Sequence, residues 1–464
     1  MRLTVPEPKI ELYKDGFAKH DQLNREETGD KLSDLVERID DPLVIALDGA
    51  WGSGKSFFLK CWVGEHLKRQ GNTTQTVYFD AFQHDFLDDP LIALTGEIAE
   101  RFRDPEAGKQ ETDQARASAR RSKLKKSAWA VSKAAGRIGL SAVTFGATEI
   151  LSGMGDEIAK SASEEAKAFL SSDAGDDEAE KFWNAHDARI AAMEAFRLAL
   201  TELTEPDETG HPQRKLVIVI DELDRCRPDY ALSLLEIIKH FFNVDGVHFV
   251  LGVNLTELQN SVRARYGSGV DAETYLQKFI SLYFAIPRRT KPNSKDELWE
   301  NYFSAQCIAL GLSEERETLA IQTKWMLQAL VRDHPVSLRD VDRVLSVIAL
   351  TPEESTQLPP EVSLILAGLA VAKALLPEKY PNLKYEGFDP RSFKECFSLG
   401  NISSNEIRPL YQEIWNNAFG LTAQGAILSV DHRGVFARLL RAHGNLTTYI
   451  NHLADYHLER FKMT

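Results

Sequence analysis

Gly49-Ala50-Trp51-Gly52-Ser53-Gly54-Lys55-Ser56 sets glycines, an ammonium and a hydroxyl in the order G-x-x-x-x-G-K-S, an arrangement that could wrap a polyphosphate. The glycines let backbone N–H groups turn toward phosphate oxygens with no Cβ in the way. Lys55 would neutralise the β- and γ-phosphates, and Ser56 would offer its hydroxyl to Mg²⁺. Ala50, Trp51, Ser53 and Phe57 complete the stretch expected to touch the nucleotide. The plain alternative is a glycine-rich turn that precedes Lys-Ser by chance, which only the surrounding elements can reject.

A second group lies far downstream, where Leu216-Val217-Ile218-Val219-Ile220 runs into Asp221-Glu222-Leu223-Asp224-Arg225-Cys226. An apolar run ending in a carboxylate puts Asp221 at a strand's carboxyl end, where it could hold Mg²⁺ through water. Glu222 is the expected group for polarising an attacking water, and Asp224 competes for that task from the turn. Acidic helix caps are the alternative reading of all three. Asn254, closing the run Val247 to Val253, would hold the lytic water or the γ-phosphate, or would simply form a turn. Arg339, within Ser337-Leu338-Arg339-Asp340-Val341-Asp342-Arg343, would report the γ-phosphate to a distal domain or make a surface ion pair.

These residues need particular supports. Val44 to Leu47 is a short apolar run without helical spacing, as a buried parallel strand would be. Behind the loop, Phe57, Phe58, Leu59, Trp62 and Leu67 recur at helical intervals up to Gln70-Gly71. Strand, loop and helix together are the context the phosphate-loop reading requires, and the helix would aim its positive N-terminal end at the same anion. Further strands are expected at Thr76–Phe79, Leu216–Asp221, Val247–Val253 and Leu282–Ile286, alternating with helices. That pattern predicts a parallel sheet covered on both faces. A helix before the first strand would be capped by Asp30 and stopped at Asp41-Pro42.

Residues 103–182 interrupt the pattern with a basic run (Arg116 to Lys126), a small-residue stretch (Ser127 to Gly155) and an acidic segment. The longest uncharged run there, Ile138 to Thr148, falls short of the ~20 apolar residues a bilayer-crossing helix needs. Contact with a membrane surface through 127–155 remains an expectation, beside that of a helical insertion packed on its own domain. After Pro287 only helices are expected, over Trp299–Leu310, Ile321–Val331, Leu338–Leu350, Val362–Leu376 and Val435–Leu453. The fold class is therefore α/β, with 1–102 and 183–287 as the core, 103–182 as an insertion and 288–464 as an all-helical C-terminal domain.

Composition narrows the partners. The 464 residues, 43% of them hydrophobic and 27% charged, suit a globular chain of two or three domains. A net charge of −14 argues against a generally basic, nucleic-acid-coating surface. The four cysteines are scattered without a C-x-x-C pair, so neither a disulfide scaffold nor a zinc site is expected. Met1 to Gly16 lacks an apolar signal core, so the cytoplasm is the expected compartment.

Asp48 to Ser56, the aromatic-rich Phe79-Asp80-Ala81-Phe82-Gln83-His84, Ile220 to Cys226 and Tyr275 to Pro287 together resemble the KAP family of P-loop NTPases. The likeness runs from about Leu35 to Pro287 outside the insertion. It implies a core similar to the additional-strand NTPases, ATP and Mg²⁺ as cofactors, and an insertion between the two motifs that in relatives often spans a membrane. It also implies a setting in bacterial phage or plasmid exclusion. Asn254 departs from the acidic residue common in the family, and Phe82 stands where Trp is usual. The resulting expectation is an ATP-hydrolysing conformational switch. A phosphotransferase, a nucleotide-binding scaffold and a nucleic-acid-stimulated ATPase are the alternatives. Self-association or an effector partner is expected as well, with Arg227, Arg263 and Arg265 as candidates for an arginine lent to a neighbour's site.

Overall fold

The computed structural model describes residues 9–102 apart from 22 and 88, then 111–134, 178–286, 298–312, 316–330, 336–384, 396–398 and 446–459. Five strands, β1 (Leu43–Asp48), β2 (Thr74–Asp80), β3 (Lys215–Asp221), β4 (Val247–Val253) and β5 (Leu282–Ala285), form one sheet in the order β2-β3-β4-β1-β5. Every neighbouring pair is parallel. Parallel strands need covered faces, and β3 and β4 are buried along their whole length. β4 lies between the strand that feeds the phosphate loop and the strand that ends in Asp221, so it is the additional strand that the resemblance implied.

Alternation along β3 sorts the sheet into two apolar faces. Val217 and Val219 join Ile45 and Leu47 of β1 against α1 (Glu26–Arg38) and α2 (Lys55–Leu67). Leu216, Ile218 and Ile220 face the other way, against α3 (Pro90–Arg101). Also on that side are α4 (Glu111–Ala134), α5 (Glu178–Thr201), α6 (Pro228–Phe241) and α7 (Leu255–Tyr266). Leu124, Ala128 and Val131 of α4 are buried in this cluster, as are Phe196, Ala199 and Leu200 of α5. The described end of the insertion therefore packs on the core. Arg120 and Lys123 of its basic run pair with Glu205 and Glu202. Residues 135–177, with the run Ile138 to Thr148 and the acidic segment, lie outside the described residues. Among the described residues, no helix is long and apolar enough to cross a membrane.

A third apolar cluster is built only from residues 299–458. It joins α8 (Leu298–Leu310), α9 (Glu317–Gln328), α10 (Leu338–Ala349), α11 (Pro360–Leu375) and α12 (Leu446–His457). α11 is buried on every side from Val362 to Ala372, which makes it the axis about which the other helices pack. The expected helix start at Val435 falls outside the described residues.

The first helix departs from expectation. α1 begins at Glu26, and Asp30 lies in its interior. The Asp21 carboxylate accepts the backbone N–H groups of Leu23, Arg25 and Glu26 at 3.1, 2.6 and 3.0 Å, so the first turn is satisfied before Asp30 is reached. α1 is tied to α2 by the buried indole of Trp62, which donates to Gly29 O at 3.1 Å and Ser33 Oγ at 3.0 Å. Gly64 allows the chain before α1 to lie against α2, since a Cβ there would come 2.0 Å from the Asp15 carbonyl oxygen. Alanine is the better helix former, yet Gly64→Ala should destabilise the protein by about 1–3 kcal/mol because backbone must move. Urea unfolding should show the loss as a lower midpoint.

Candidate functional site

Parallel register brings the acidic ends of the strands level. Asp80 pairs with Asp221, Asp221 with Gly252, and Asp48 with Val253. The edge so formed meets the loop 49–54, which leaves β1 and enters α2 at Lys55. Gly54 caps that helix with φ +81°, and Gly52 has φ +77°. Both lie in the left-handed region that favours glycine.

The loop is braced from three directions through its carbonyl oxygens. Lys55 Nζ donates to Gly49 O at 2.5 Å and Ala50 O at 3.3 Å. Arg25, only 4% exposed, donates to Ser53 O at 2.7 Å and Gly54 O at 3.2 Å. Burial of this guanidinium lowers its pKa to about 10, with Asp21 opposing the shift, and it remains charged at neutral pH. From the C-terminal helices, Leu338 N donates to Gly52 O at 3.0 Å. Contact here is tight: a Cβ at Gly52 would stand 2.8 Å from Arg339 Cβ.

The acidic half is more deeply enclosed. Asp221 is 1% exposed and accepts Tyr78 OH at 2.6 Å and Glu222 N at 2.9 Å. Ser56, at the start of α2, also favours the charged form of Asp221. Burial pushes the Asp221 carboxyl above its ordinary range, and these donors pull against that shift. Burial beside a carboxylate also drives the Tyr78 phenol far up, so it acts as a donor at any physiological pH. Lys55 is shifted down by burial, against the pull of Asp224, Asp221 and Asp48. Glu222 takes a left-handed backbone (φ +59°) and pairs with Arg225 Nη1 at 2.7 Å. Its carboxyl is raised, chiefly by burial. Asp224 accepts the indole N–H of Trp51 at 2.6 Å, a bond that joins the loop directly to the acidic turn.

Between the halves lies a cavity of about 340 Å³. Trp51 to Phe57 line it, with Lys60, Asp221, Glu222, Asp224 and Arg225. Tyr302, Gln306, Leu338, Arg339 and Asp342 close it from the C-terminal side, and Ile10 and Leu23 from the N-terminal side. Of the expected nucleotide-contacting residues, Gly49 and Ala50 stand behind the lining, where their carbonyls hold Lys55. Asn254 is not brought in: its side chain accepts Thr256 N at 3.2 Å and caps α7, the turn-forming alternative. Arg339 is brought in, because the Ser337–Asp340 capping box starts α10 right beside the loop.

Sequence reasoning missed Arg25, Lys60, Tyr78, Tyr302 and Gln306. Arg25 and the two C-terminal residues lie far along the chain from both motifs, and no local pattern marks them. Among the candidate lent arginines, Arg227 is bound to Asp85 through Nε at 2.7 Å, and Arg265 pairs with Asp229 at 3.1 Å. Arg263 donates to Asn260 at 3.1 Å on its own helix.

A family model agrees with this geometry. The family model described as the KAP family P-loop domain matches residues 25–354. Solved structures similar to the chain include the Aeropyrum pernix ORC2 protein in its ADPNP–ADP complexes, 10% identical, with a TM-score of 0.32 over 93% of each chain. Its ADP form is 11% identical, with a TM-score of 0.33 over 85% of each chain. No curated protein matches this chain. With a family model spanning well over half its length and the strand order and loop to match, the chain belongs to the KAP family of P-loop NTPases.

Proposed function

We propose that the protein binds ATP with Mg²⁺ and hydrolyses it slowly, as a conformational switch. The observation that carries this reading is the convergence of Lys55, Ser56, Asp221 and Glu222 on one cavity. The donor set fits the cofactor. Ser56 and the buried Asp221 line the same cavity, and Ser53 Oγ is buried in the loop with no hydrogen-bond partner among the described residues. Ser56 and Asp221 would hold Mg²⁺, which when bound supplies positive charge to the phosphate oxygens. Lys55 would leave the Gly49 and Ala50 carbonyls for the phosphates. Glu222 would accept the proton of the attacking water. Arg339 would sense the γ-phosphate from the C-terminal helices, and Asp224 would keep Trp51 over the loop.

The Glu222–Arg225 pair supports slow turnover, because this 2.7 Å contact must open before the carboxylate can turn to a water. Pairing of Arg120 and Lys123 with glutamates speaks against a nucleic-acid-stimulated motor using that run. The place of such a switch in bacterial phage or plasmid exclusion, and a homo-oligomeric or effector-bound state, follow from the family likeness as part of the same proposal.

Removing the ammonium in Lys55→Ala should weaken ATP binding by about tenfold to a hundredfold, the scale of a lost charge-assisted contact. Calorimetric titration measures it, and unchanged affinity would sink the reading. Glu222→Gln should keep ATP binding while phosphate release falls by about 10²–10⁴-fold. Equal release by wild type and variant would instead mean that this carboxylate takes no proton.

The Glu222 carboxyl is raised by burial and must be ionised to act as base. Activity should therefore climb with pH through a limb above the ordinary carboxylate value of about 4.3. Arg225 opposes that shift. In Arg225→Ala the limb should move to higher pH, visible in a phosphate-release profile; a limb that stays put would detach Arg225 from this proton.

A further inference from the structure

Once a triphosphate is assigned to Lys55 and Ser56, part of the cavity is left over. Phe57 follows the phosphate-binding residues directly, and with Ile10 and Leu23 it supplies apolar wall. Such walls suit the faces of a flat heterocycle. One polar group that lines the same cavity is anomalous. Gln306, on α8, lines the cavity and is only 7% exposed, yet its amide oxygen has no hydrogen-bond partner among the described residues. Buried acceptors are almost always satisfied, and one left unpaired calls for an explanation. Nearby Tyr302 does not supply one, since its hydroxyl donates to Asp342 at 3.0 Å.

We propose that Gln306 reads the base of the bound nucleotide and selects a 6-aminopurine. Its amide oxygen accepts an N–H of the exocyclic 6-amino group, while its NH₂ donates to a ring nitrogen on the same edge, the pairing by which glutamine recognises adenine elsewhere. A 6-oxopurine sets an acceptor against that oxygen, and a purine without a 6-substituent leaves it unpaired. This inference rests on the nucleotide-binding reading above and deepens it: the selector comes from the C-terminal helices, outside both sequence motifs. Base choice would then be made only when α8 is docked against the phosphate-loop core.

The test is calorimetric titration of the full chain with Mg²⁺ and the β,γ-imido triphosphates of adenosine, inosine and purine riboside. Wild type should bind the adenosine form about tenfold or more tightly than the other two. Gln306→Met, of similar length but without the amide, should bring the adenosine form down to their level and leave theirs within about twofold. Equal affinities in wild type, a preference for the inosine form, or discrimination kept by Gln306→Met would each overturn the assignment. The wild-type comparison decides even if the variant fails to fold. Binding that is blind to the base but still weakened by Lys55→Ala would remove Gln306's role alone, whereas no heat from any triphosphate would remove the nucleotide reading with it.

Discussion

A carboxylate sealed from water at the end of a central strand is the constraint on which the site depends. Asp221 is almost wholly buried, and an ion in that position is costly unless donors surround it. Tyr78 and the Glu222 amide are those donors, and Ser56 adds to the support of its charge. Each comes from a different element: β2, the start of α2, and the turn after β3. Their convergence follows from the parallel register, which sets Asp80, Asp221 and Gly252 side by side. A slip of one residue in β3 would swap its buried faces and scatter the donors. The apolar packing that holds the sheet therefore also holds the charge in place.

The opposite wall obeys the same logic with the signs reversed. Loop carbonyls that would otherwise face one another are bound by Lys55, by Arg25 and by the Leu338 amide. Arg25 is a buried brace, and Lys55 beside it lines the cavity. Trp51 and Asp224 span the gap between the two walls. One wall comes from a strand end and the other from a loop, and the C-terminal helices close what remains.

Legibility followed sequence separation. The phosphate loop, the acidic strand and the strand–helix alternation were readable because each is a local pattern with a local cause: apolar runs, glycines and a following helix rich in apolar residues. The start of α1 was misjudged because Asp21 caps it from well upstream, a contact that spacing around Asp30 does not reveal. Asn254 was ambiguous for the opposite reason, since the same amide serves a helix cap or a phosphate and only geometry separates the two. Arg25, Tyr78 and Tyr302 were invisible because their partners are distant along the chain, and Gln306 because only the fold brings it to the cavity. Arg339 was legible as an arginine opening a helix, but its distance from the loop was not.

The bond between Leu338 and Gly52 makes the phosphate loop and the C-terminal helices mechanically inseparable at one point. No slack exists there, since even a methyl group on Gly52 would collide with Arg339. Any tilt of α10 must either drag the loop or tear the bond, and any reshaping of the loop must push on α10. Reciprocity then follows from thermodynamics: a partner of the outer helices that altered how the loop holds an anion would have its own grip altered by that anion by the same factor.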